Sequence, residues 1–176
     1  MRLRFTALHL LPTLCLCATL VACGSGESRV VQGNRDGILH YGNGTEPQGL
    51  DPHIVTGLPE SHIVRALFEG LAVKNPFTLE PEPGVAQSWD ISEDGRTVTF
   101  HLNPQARWSN GDTMTAQDYV WSWQRALNPA MGNQYAYMLY PIENAEAFAT
   151  GKLQDFAEVG VKALDKHTLQ VQLVTA

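Results

Sequence analysis

The chain has 176 residues, of which 44% are hydrophobic, and a formal net charge of -6 at pH 7. A chain of this length ordinarily forms one domain, and it has enough apolar residues to bury a core. The excess of acidic residues, together with the lack of a basic stripe interleaved with aromatic residues, argues against a nucleic-acid-binding protein.

The first 22 residues have the pattern of an export signal. Arg2 and Arg4 precede an apolar run over residues 5–21, which is too short and unsuitably flanked for a membrane-spanning helix. The run ends in Leu-Val-Ala-Cys, which resembles the bacterial lipobox. This resemblance implies cleavage before Cys23 and attachment of diacylglycerol to its sulfur. The alternative is an ordinary signal peptide followed by an incidental cysteine.

Residues 23–36 are rich in Gly, Ser, Asn and charged residues, a composition that predicts a flexible tether. Cys15 and Cys17 lie in the signal peptide over residues 1–22, so the mature chain has no cysteine pair for an internal disulfide. The sequence therefore predicts an extracytoplasmic protein, in the periplasm or on the cell surface, that Cys23 anchors to a bacterial membrane through its lipid.

Past the tether, residues 38–41 are a candidate for a short strand, and residues 54–59 are expected to form a loop or a short extended segment. A helix is predicted over residues 60–69, with Gly70 as its C-terminal cap. Residues 74–84 contain three prolines and little periodicity, which predicts a loop. The apolar stripe of the predicted helix consists of Ile63, Val64, Leu67 and Phe68.

The next elements carry stronger signals. Residues 85–91 and 97–102 flank Ser-Glu-Asp-Gly, and apolar residues alternate with polar ones in the second run, which predicts a β-hairpin with one buried face. A helix is predicted over residues 116–127, where Thr115 and Asp118 have the spacing of a capping box. The residues expected to face the core are Tyr119, Val120, Trp123 and Leu127.

The last part of the chain predicts a short helix over residues 144–150 and a second hairpin from residues 159–164 and 168–174. In that hairpin Leu169, Val171 and Leu173 share one face. Hairpins interspersed with helices indicate a mixed α+β fold.

We find no constellation of residues typical of an enzyme or a metal site. The six histidines are scattered, and no pair has the spacing of a metal ligand set. Asp51 and His53 flank Pro52, and a turn closed by a side-chain-to-backbone hydrogen bond is favoured over an acid/base pair. His101 is expected to face solvent from its strand. The sequence therefore predicts neither catalytic residues nor a cofactor.

Four motifs carry a family resemblance: P-G-V-A-Q-S-W (83–89), T-V-T-F-H-L (97–102), A-R-W-S-N-G-D (106–112) and T-A-Q-D-Y-V-W-S-W-Q-R (115–125). With L-D-P-H (50–53) and L-F-E-G-L (67–71) upstream, the chain resembles the extracytoplasmic oligopeptide-binding proteins of ABC importers, solute-binding protein family 5. The resemblance covers residues 39–176.

This resemblance implies the N-terminal part of a longer protein that folds as two lobes with a small inserted domain of hairpins and helices. Residues 37–68 would then begin the first lobe, and residues 69–176 would form most of the inserted domain, incomplete at its C-terminal end. The implied function is capture of oligopeptides and their delivery to an ABC transporter permease, with the two lobes closing over the ligand by a hinge.

The resemblance also implies ligand-binding residues. In the family, an extended segment after L-D-P-H lines the cleft, and peptides bind there largely through main-chain hydrogen bonds. The corresponding residues are Thr56, Gly57 and Leu58, and Tyr135 matches a tyrosine that lines the cleft. Close relatives carry an acid where this chain has Thr56, which puts a preference for basic side chains in doubt.

Three alternatives stay open. The same fold could bind another ligand, such as a cell-wall peptide, a signalling peptide or a metal complex. A short lipoprotein with an interaction role would end at residue 176. An anchored hydrolase would need a nucleophile and a base that these residues do not offer.

Overall fold

The computed structural model describes residues 26–176, which divide into two compact units, one ending at Gly42 and the other spanning Asn43–Ala176. The predicted signal peptide and Cys23 lie outside the described residues. The predicted boundary between residues 68 and 69 lies inside the second unit and stays a prediction. Within residues 26–176, no helix is both long and apolar enough to cross a membrane.

The first unit contains helix α1 (Arg29–Asp36), which lies within the stretch predicted as a tether; the tether itself stays a prediction. The Ser28 side chain accepts a hydrogen bond from the Val31 N–H, and Glu27 pairs with Arg35 at 2.8 Å. Gly37 ends the helix with a φ of 70°, and the Ile38 N–H donates to the Gly33 carbonyl. The strand predicted over residues 38–41 is absent from this described unit.

The second unit alternates helices and strands, and the predicted mixed α+β class is confirmed. Short 3-10 turns occupy Pro129–Met131, Ala136–Leu139 and Phe156–Glu158. The helices are α2 (Leu58–Leu67), α3 (Ala116–Leu127) and α4 (Ala145–Ala149), and the strands are β1 (Ala72–Lys74), β2 (Pro81–Pro83), β3 (Ala86–Ile91), β4 (Thr97–Leu102), β5 (Val161–Ala163) and β6 (Thr168–Gln172).

Both predicted hairpins are confirmed and join in one antiparallel sheet of order β3-β4-β6-β5. Strands β4 and β6 pair in its centre, where Phe100 lies opposite Leu169. The two runs of alternating residues turn their apolar sides to the same face, which α3 covers. The buried side chains of this core include Leu102, Leu127, Val159, Leu169 and Val171.

Helix α3 has the predicted bounds and packs Tyr119, Val120 and Trp123 against the core. At its start the Asp118 carboxylate accepts hydrogen bonds from the Thr115 N–H (2.7 Å) and the Thr115 hydroxyl (2.9 Å). This contact satisfies a backbone donor at the helix terminus and fixes where α3 begins.

The loop predicted over residues 74–84 is instead a small hairpin, in which β1 and β2 pair antiparallel. Pro81 and Pro83 have no backbone N–H to donate. They are tolerated because β2 is exposed, and proline is found in strands at such edge positions. Asn75 closes the turn, since its side chain accepts hydrogen bonds from the N–H groups of Phe77 and Thr78.

Helix α2 begins two residues earlier than the helix predicted over residues 60–69 and also ends earlier, at Leu67. Pro59 fits inside the first turn, where a backbone N–H has no partner within the helix. The predicted core stripe is wrong at its end, because Leu67 is 65% exposed and Phe68 is also exposed. Gly70 does not cap the helix; its carbonyl accepts a hydrogen bond from the Val85 N–H.

Candidate functional site

A cleft of about 440 Å³ lies beside the start of α2. Its walls come from two consecutive stretches, the loop that precedes Asp51 and the segment that leads from Asp51 into the helix. Three of the four predicted ligand-binding residues lie in or next to this segment. The lining residues are Thr45, Glu46, Gln48, Gly49, Leu50, Asp51, Ile54, Val55, Thr56, Gly57, Pro59 and Glu60.

The turn at Asp51 forms as predicted, since its carboxylate accepts a hydrogen bond from the His53 N–H at 3.0 Å. The sequence did not reveal the partner of the same carboxylate. Arg125, in the last turn of α3, donates two hydrogen bonds to Asp51, at 2.9 and 2.6 Å. Such a two-pronged contact fixes the orientation of the two groups as well as their distance.

His53 completes this cluster. Its Nδ1 accepts a hydrogen bond from the Arg125 guanidinium, and its Nε2 lies 2.9 Å from the Ser122 hydroxyl. Burial, followed by the nearby Arg125 charge, lowers the pKa of His53 below its usual 6.5. The imidazole is therefore neutral at pH 7, and its two nitrogens are both engaged in contacts with α3.

Arg125 also decides the state of Asp51. Its hydrogen bonds are the largest cause that lowers the pKa of Asp51 from 3.8 to about 2, and the His53 N–H adds to the effect. The same contact raises the pKa of Arg125. Asp51 is thus an ion-pair partner that stays charged near neutral pH, and this geometry does not make it a general acid or base.

We predict that this ion pair contributes an acid-dependent part of the stability. A folded-state pKa below the unfolded value stabilises the fold above about pH 4, and the contribution is lost as pH falls toward 2. Asp51→Asn should therefore flatten the fall in unfolding free energy between pH 4 and pH 2, measured by urea denaturation. Hydrogen bonds also lower the pKa values of Asp94 and Asp165. The unfolding free energy of the variant should therefore still fall between pH 4 and pH 2, but less steeply than that of the wild type. Parallel curves for the wild type and the variant would contradict this assignment.

The structure brings Thr56 and Tyr135 together, although 79 positions separate them. The Tyr135 hydroxyl donates a long hydrogen bond of 3.5 Å to the Thr56 carbonyl, and the Tyr135 side chain is 43% exposed. Among the described residues, no acceptor is found for the N–H groups of Thr56 and Gly57. A stretch of main chain with free donors is thus presented beside an exposed tyrosine.

Leu58 departs from the predicted extended segment, because it is the first residue of α2. Gly57, with a φ of -84° and a ψ of 154°, is the last extended residue before the helix. The Leu58 side chain is 75% exposed, so it projects from the helix start into solvent. The predicted extended backbone is therefore limited to residues up to Gly57.

Glu60 is a site residue that the sequence analysis missed. It is only 5% exposed, and its Oε1 accepts a hydrogen bond from the Gln48 N–H at 2.7 Å, which lowers the pKa of Glu60. Its Oε2 lies behind Gly57, where no hydrogen-bond partner is found among residues 26–176. A Cβ atom on Gly57 would overlap this oxygen, so the carboxylate occupies the space that a side chain there would need.

Three further residues, His101, Trp121 and Trp123, do not line the cleft. His101 contacts Asp90 across the sheet at 2.7 Å and is partly exposed. Trp123 packs against the core as expected, whereas Trp121 is exposed and lies 6.5 Å from the His53 ring. In the part of the chain that the structure describes, no group of three or more histidine, cysteine, aspartate or glutamate residues could hold a metal ion.

Comparison with known proteins agrees with the fold. Residues 80–176 match the family described as bacterial extracellular solute-binding proteins, family 5 Middle. Over 133 residues the chain is 48% identical to the periplasmic oligopeptide-binding protein OppA of Escherichia coli (strain K12), a match that covers 74% of this chain and 24% of that protein. The chain thus spans about a quarter of that relative's length.

Solved structures give the same result. Haemophilus influenzae OppA, in complex with RPPGFSPFR, matches with a TM-score of 0.70 and 42% identity over 75% of this chain and 26% of that one. The substrate-binding domain of an oligopeptide ABC transporter from Bacillus anthracis str. Ames matches with a TM-score of 0.67 and 42% identity, over 70% and 24%. These relatives are substrate-binding transport proteins rather than enzymes. The chain belongs to family 5 of the bacterial extracellular solute-binding proteins.

Proposed function

We propose that this protein is a substrate-binding lipoprotein that captures oligopeptides outside the cytoplasmic membrane and delivers them to an ABC transporter permease for import. The observation that carries the proposal is the pair of N–H groups on the cleft-lining residues Thr56 and Gly57, for which no acceptor is found among residues 26–176, next to the Tyr135 hydroxyl. An extended peptide could add to this segment as a strand and place a carbonyl oxygen on one of these donors, because the N–H groups of consecutive extended residues point to opposite sides.

Main-chain recognition suits a protein that must accept many peptides. Every peptide has the same backbone carbonyls, whereas its side chains differ, so contacts to the backbone do not select a sequence. The cleft is open, and its walls carry both polar and apolar residues, which leaves room for hydrated side chains. The relative that was solved with RPPGFSPFR supports a peptide as the class of ligand.

The location belongs to the same proposal. The Leu-Val-Ala-Cys sequence that ends at Cys23 supports a lipid anchor, and the family is extracellular by description. A lipid on Cys23 would hold the protein at the membrane surface, where a permease can receive the ligand. A lipid-anchored protein in the periplasm or on the cell surface is therefore the proposed form.

A competition experiment tests the ligand class. The native product of the gene that encodes this chain is titrated with a fluorescently labelled oligopeptide, and unlabelled competitors are then added. We expect the unlabelled peptide to compete and free amino acids to fail. The matched control ligand has the same residues with its backbone amides converted to esters, which weakens the carbonyl acceptors, and one weakened hydrogen bond should make it about threefold weaker.

Three results would contradict the proposal. Binding that is blocked by a non-peptide ligand and not by peptides would move the protein to another ligand class within the family. Turnover of the labelled peptide would revive the hydrolase alternative. Equal competition by the amide and ester ligands would show that the main chain is not what is recognised.

A further inference from the structure

A closed ring of polar contacts joins the segment of residues 51–57, here called the cleft segment, to helix α3. One end of the segment is Asp51, which Arg125 holds with two hydrogen bonds. Near the other end, the Thr56 carbonyl accepts the hydrogen bond of the Tyr135 hydroxyl. The ring is completed by the stretch of chain that leads from Arg125 to Tyr135.

That stretch is itself tied to α3. The Asn133 amide donates to the Ala126 carbonyl at 3.0 Å, in the last turn of the helix. The Asn133 side-chain oxygen accepts a hydrogen bond from the Tyr135 N–H at 2.9 Å. The Asn133 side chain therefore links Tyr135 by hydrogen bonds to Ala126, the residue that follows Arg125.

Both walls of the proposed peptide site thus depend on the same turn of one helix. Helix α3 is well suited to this because Ala126 and Leu127 are buried in the core and Asp118 fixes its start. The position of the helix end is consequently determined by packing, while the cleft segment, whose Ile54 and Thr56 are exposed, depends on its contacts.

We propose that Arg125 is a positioning residue for peptide capture, an inference that rests on the function proposed above. By holding Asp51, Arg125 fixes the placement of the Thr56 and Gly57 N–H groups relative to the Tyr135 side chain. The arginine does not touch the peptide in this account.

An arginine is needed for this role. Its planar guanidinium holds Asp51 through two parallel bonds and reaches His53 at the same time, which a lysine ammonium cannot do in a fixed orientation. The pair is partly exposed, with 29% of the Arg125 side chain and 31% of the Asp51 side chain accessible, and Arg125→Lys keeps a positive charge beside Asp51, so most of the pair's contribution to stability should remain. Loss of the two parallel hydrogen bonds from Arg125 to Asp51 should therefore weaken peptide binding more than it weakens folding.

The test uses Arg125→Lys, Tyr135→Phe and the combined variant in the native gene product. We expect Arg125→Lys to weaken binding of the labelled peptide about tenfold, while the thermal unfolding midpoint stays within a few degrees of the wild type. Arg107→Lys is the matched control, because within residues 26–176 the Arg107 side chain donates only to the backbone carbonyls of the nearby residues Pro104 and Ala106. The Arg107→Lys variant should bind the labelled peptide with the affinity of the wild type.

The combined variant separates positioning from general damage. If Arg125 acts through the placement of Tyr135 against Thr56, the loss in the combined variant should be smaller than the product of the two single losses. A product of independent losses would overturn the inference. Should Arg125→Lys fail to fold, the same cycle with Asp51→Asn and Tyr135→Phe gives the decision.

The two proposals fail in different ways. A wild-type product that binds no peptide would overturn the proposed function, and this inference with it. A wild-type product that binds peptide, with Arg125→Lys equal to it, would overturn the inference alone and leave the proposed function standing.

Discussion

Leu169→Ala should lower the free energy of unfolding by about 2 to 5 kcal/mol, the largest effect on stability that we expect from one substitution. Leu169 is fully buried on the central strand β6, opposite Phe100 on β4 and Ala163 on β5. Truncation removes apolar contacts on both sides and leaves a cavity that strands fixed by hydrogen bonds cannot close.

The matched control for this prediction is Leu164→Ala. Leu164 follows β5 directly, and its side chain is 54% exposed, so its truncation should change the unfolding free energy by less than about 0.5 kcal/mol. Urea denaturation, followed by tryptophan fluorescence, measures both variants. Equal destabilisation by the two substitutions would contradict the placement of the core between the sheet and α3.

Gly57→Ala should disrupt the cleft by displacing Glu60. The φ of Gly57 is -84°, which alanine adopts without strain, so the effect comes from the overlap of the new Cβ with the Glu60 carboxylate and from the lower preference for alanine at this helix N-cap. The carboxylate is the end of a flexible side chain and can move, but moving it would disturb its hydrogen bond to the Gln48 N–H, and we expect a loss of about 1 kcal/mol in unfolding free energy.

A double-mutant cycle makes this prediction specific. In a Glu60→Ala background the obstruction is gone, so Gly57→Ala should then cost only what alanine costs at this N-cap, and the coupling between the two positions should be about 0.5 to 1 kcal/mol. Gly49→Ala is the control, because a Cβ on Gly49 meets no atom within 4 Å and this glycine also lines the cleft. Additive effects of Gly57→Ala and Glu60→Ala would show that the two residues do not share this space.

Local signals allowed much of the fold to be predicted. The capping box at Thr115 and Asp118 gave the start of α3, because cap and helix lie within one turn of each other. The two hairpins were found because residues that alternate along a strand also share one face of the sheet. These features are determined by residues that are close in sequence, so a single sequence displays them.

The errors have a different origin. Proline counts predicted a loop where β1 and β2 pair, since sequence alone does not show that the pair is exposed. The Gly, Ser, Asn and charged composition of residues 23–36 did not indicate helix α1, which a Ser28 cap and the pair of Glu27 with Arg35 accompany. In both places, local contacts outweigh the average preference of the composition.

The sequence analysis named the main-chain residues of the candidate site, which stay a prediction, and did not name the side chains that hold them in place. Thr56 and Tyr135 were named, but only through the family resemblance. Arg125 lies 74 positions from Asp51, and nothing in either neighbourhood pairs them. Glu60 was taken as the first residue of a helix that in fact begins at Leu58, which hid its position behind Gly57. Contacts between distant parts of the chain need the fold before they can be seen.

Native mass spectrometry of the gene product, extracted from membranes in mild detergent, tests the central claim most directly. One spectrum reports processing, through the mass of the chain, and ligand capture, through the mass of any bound species. We predict a chain that starts at a diacylated Cys23 and carries oligopeptides, which are released when the protein is denatured and exchange for an added peptide. A chain that retains no peptide, even after a peptide mixture is added, would contradict the account.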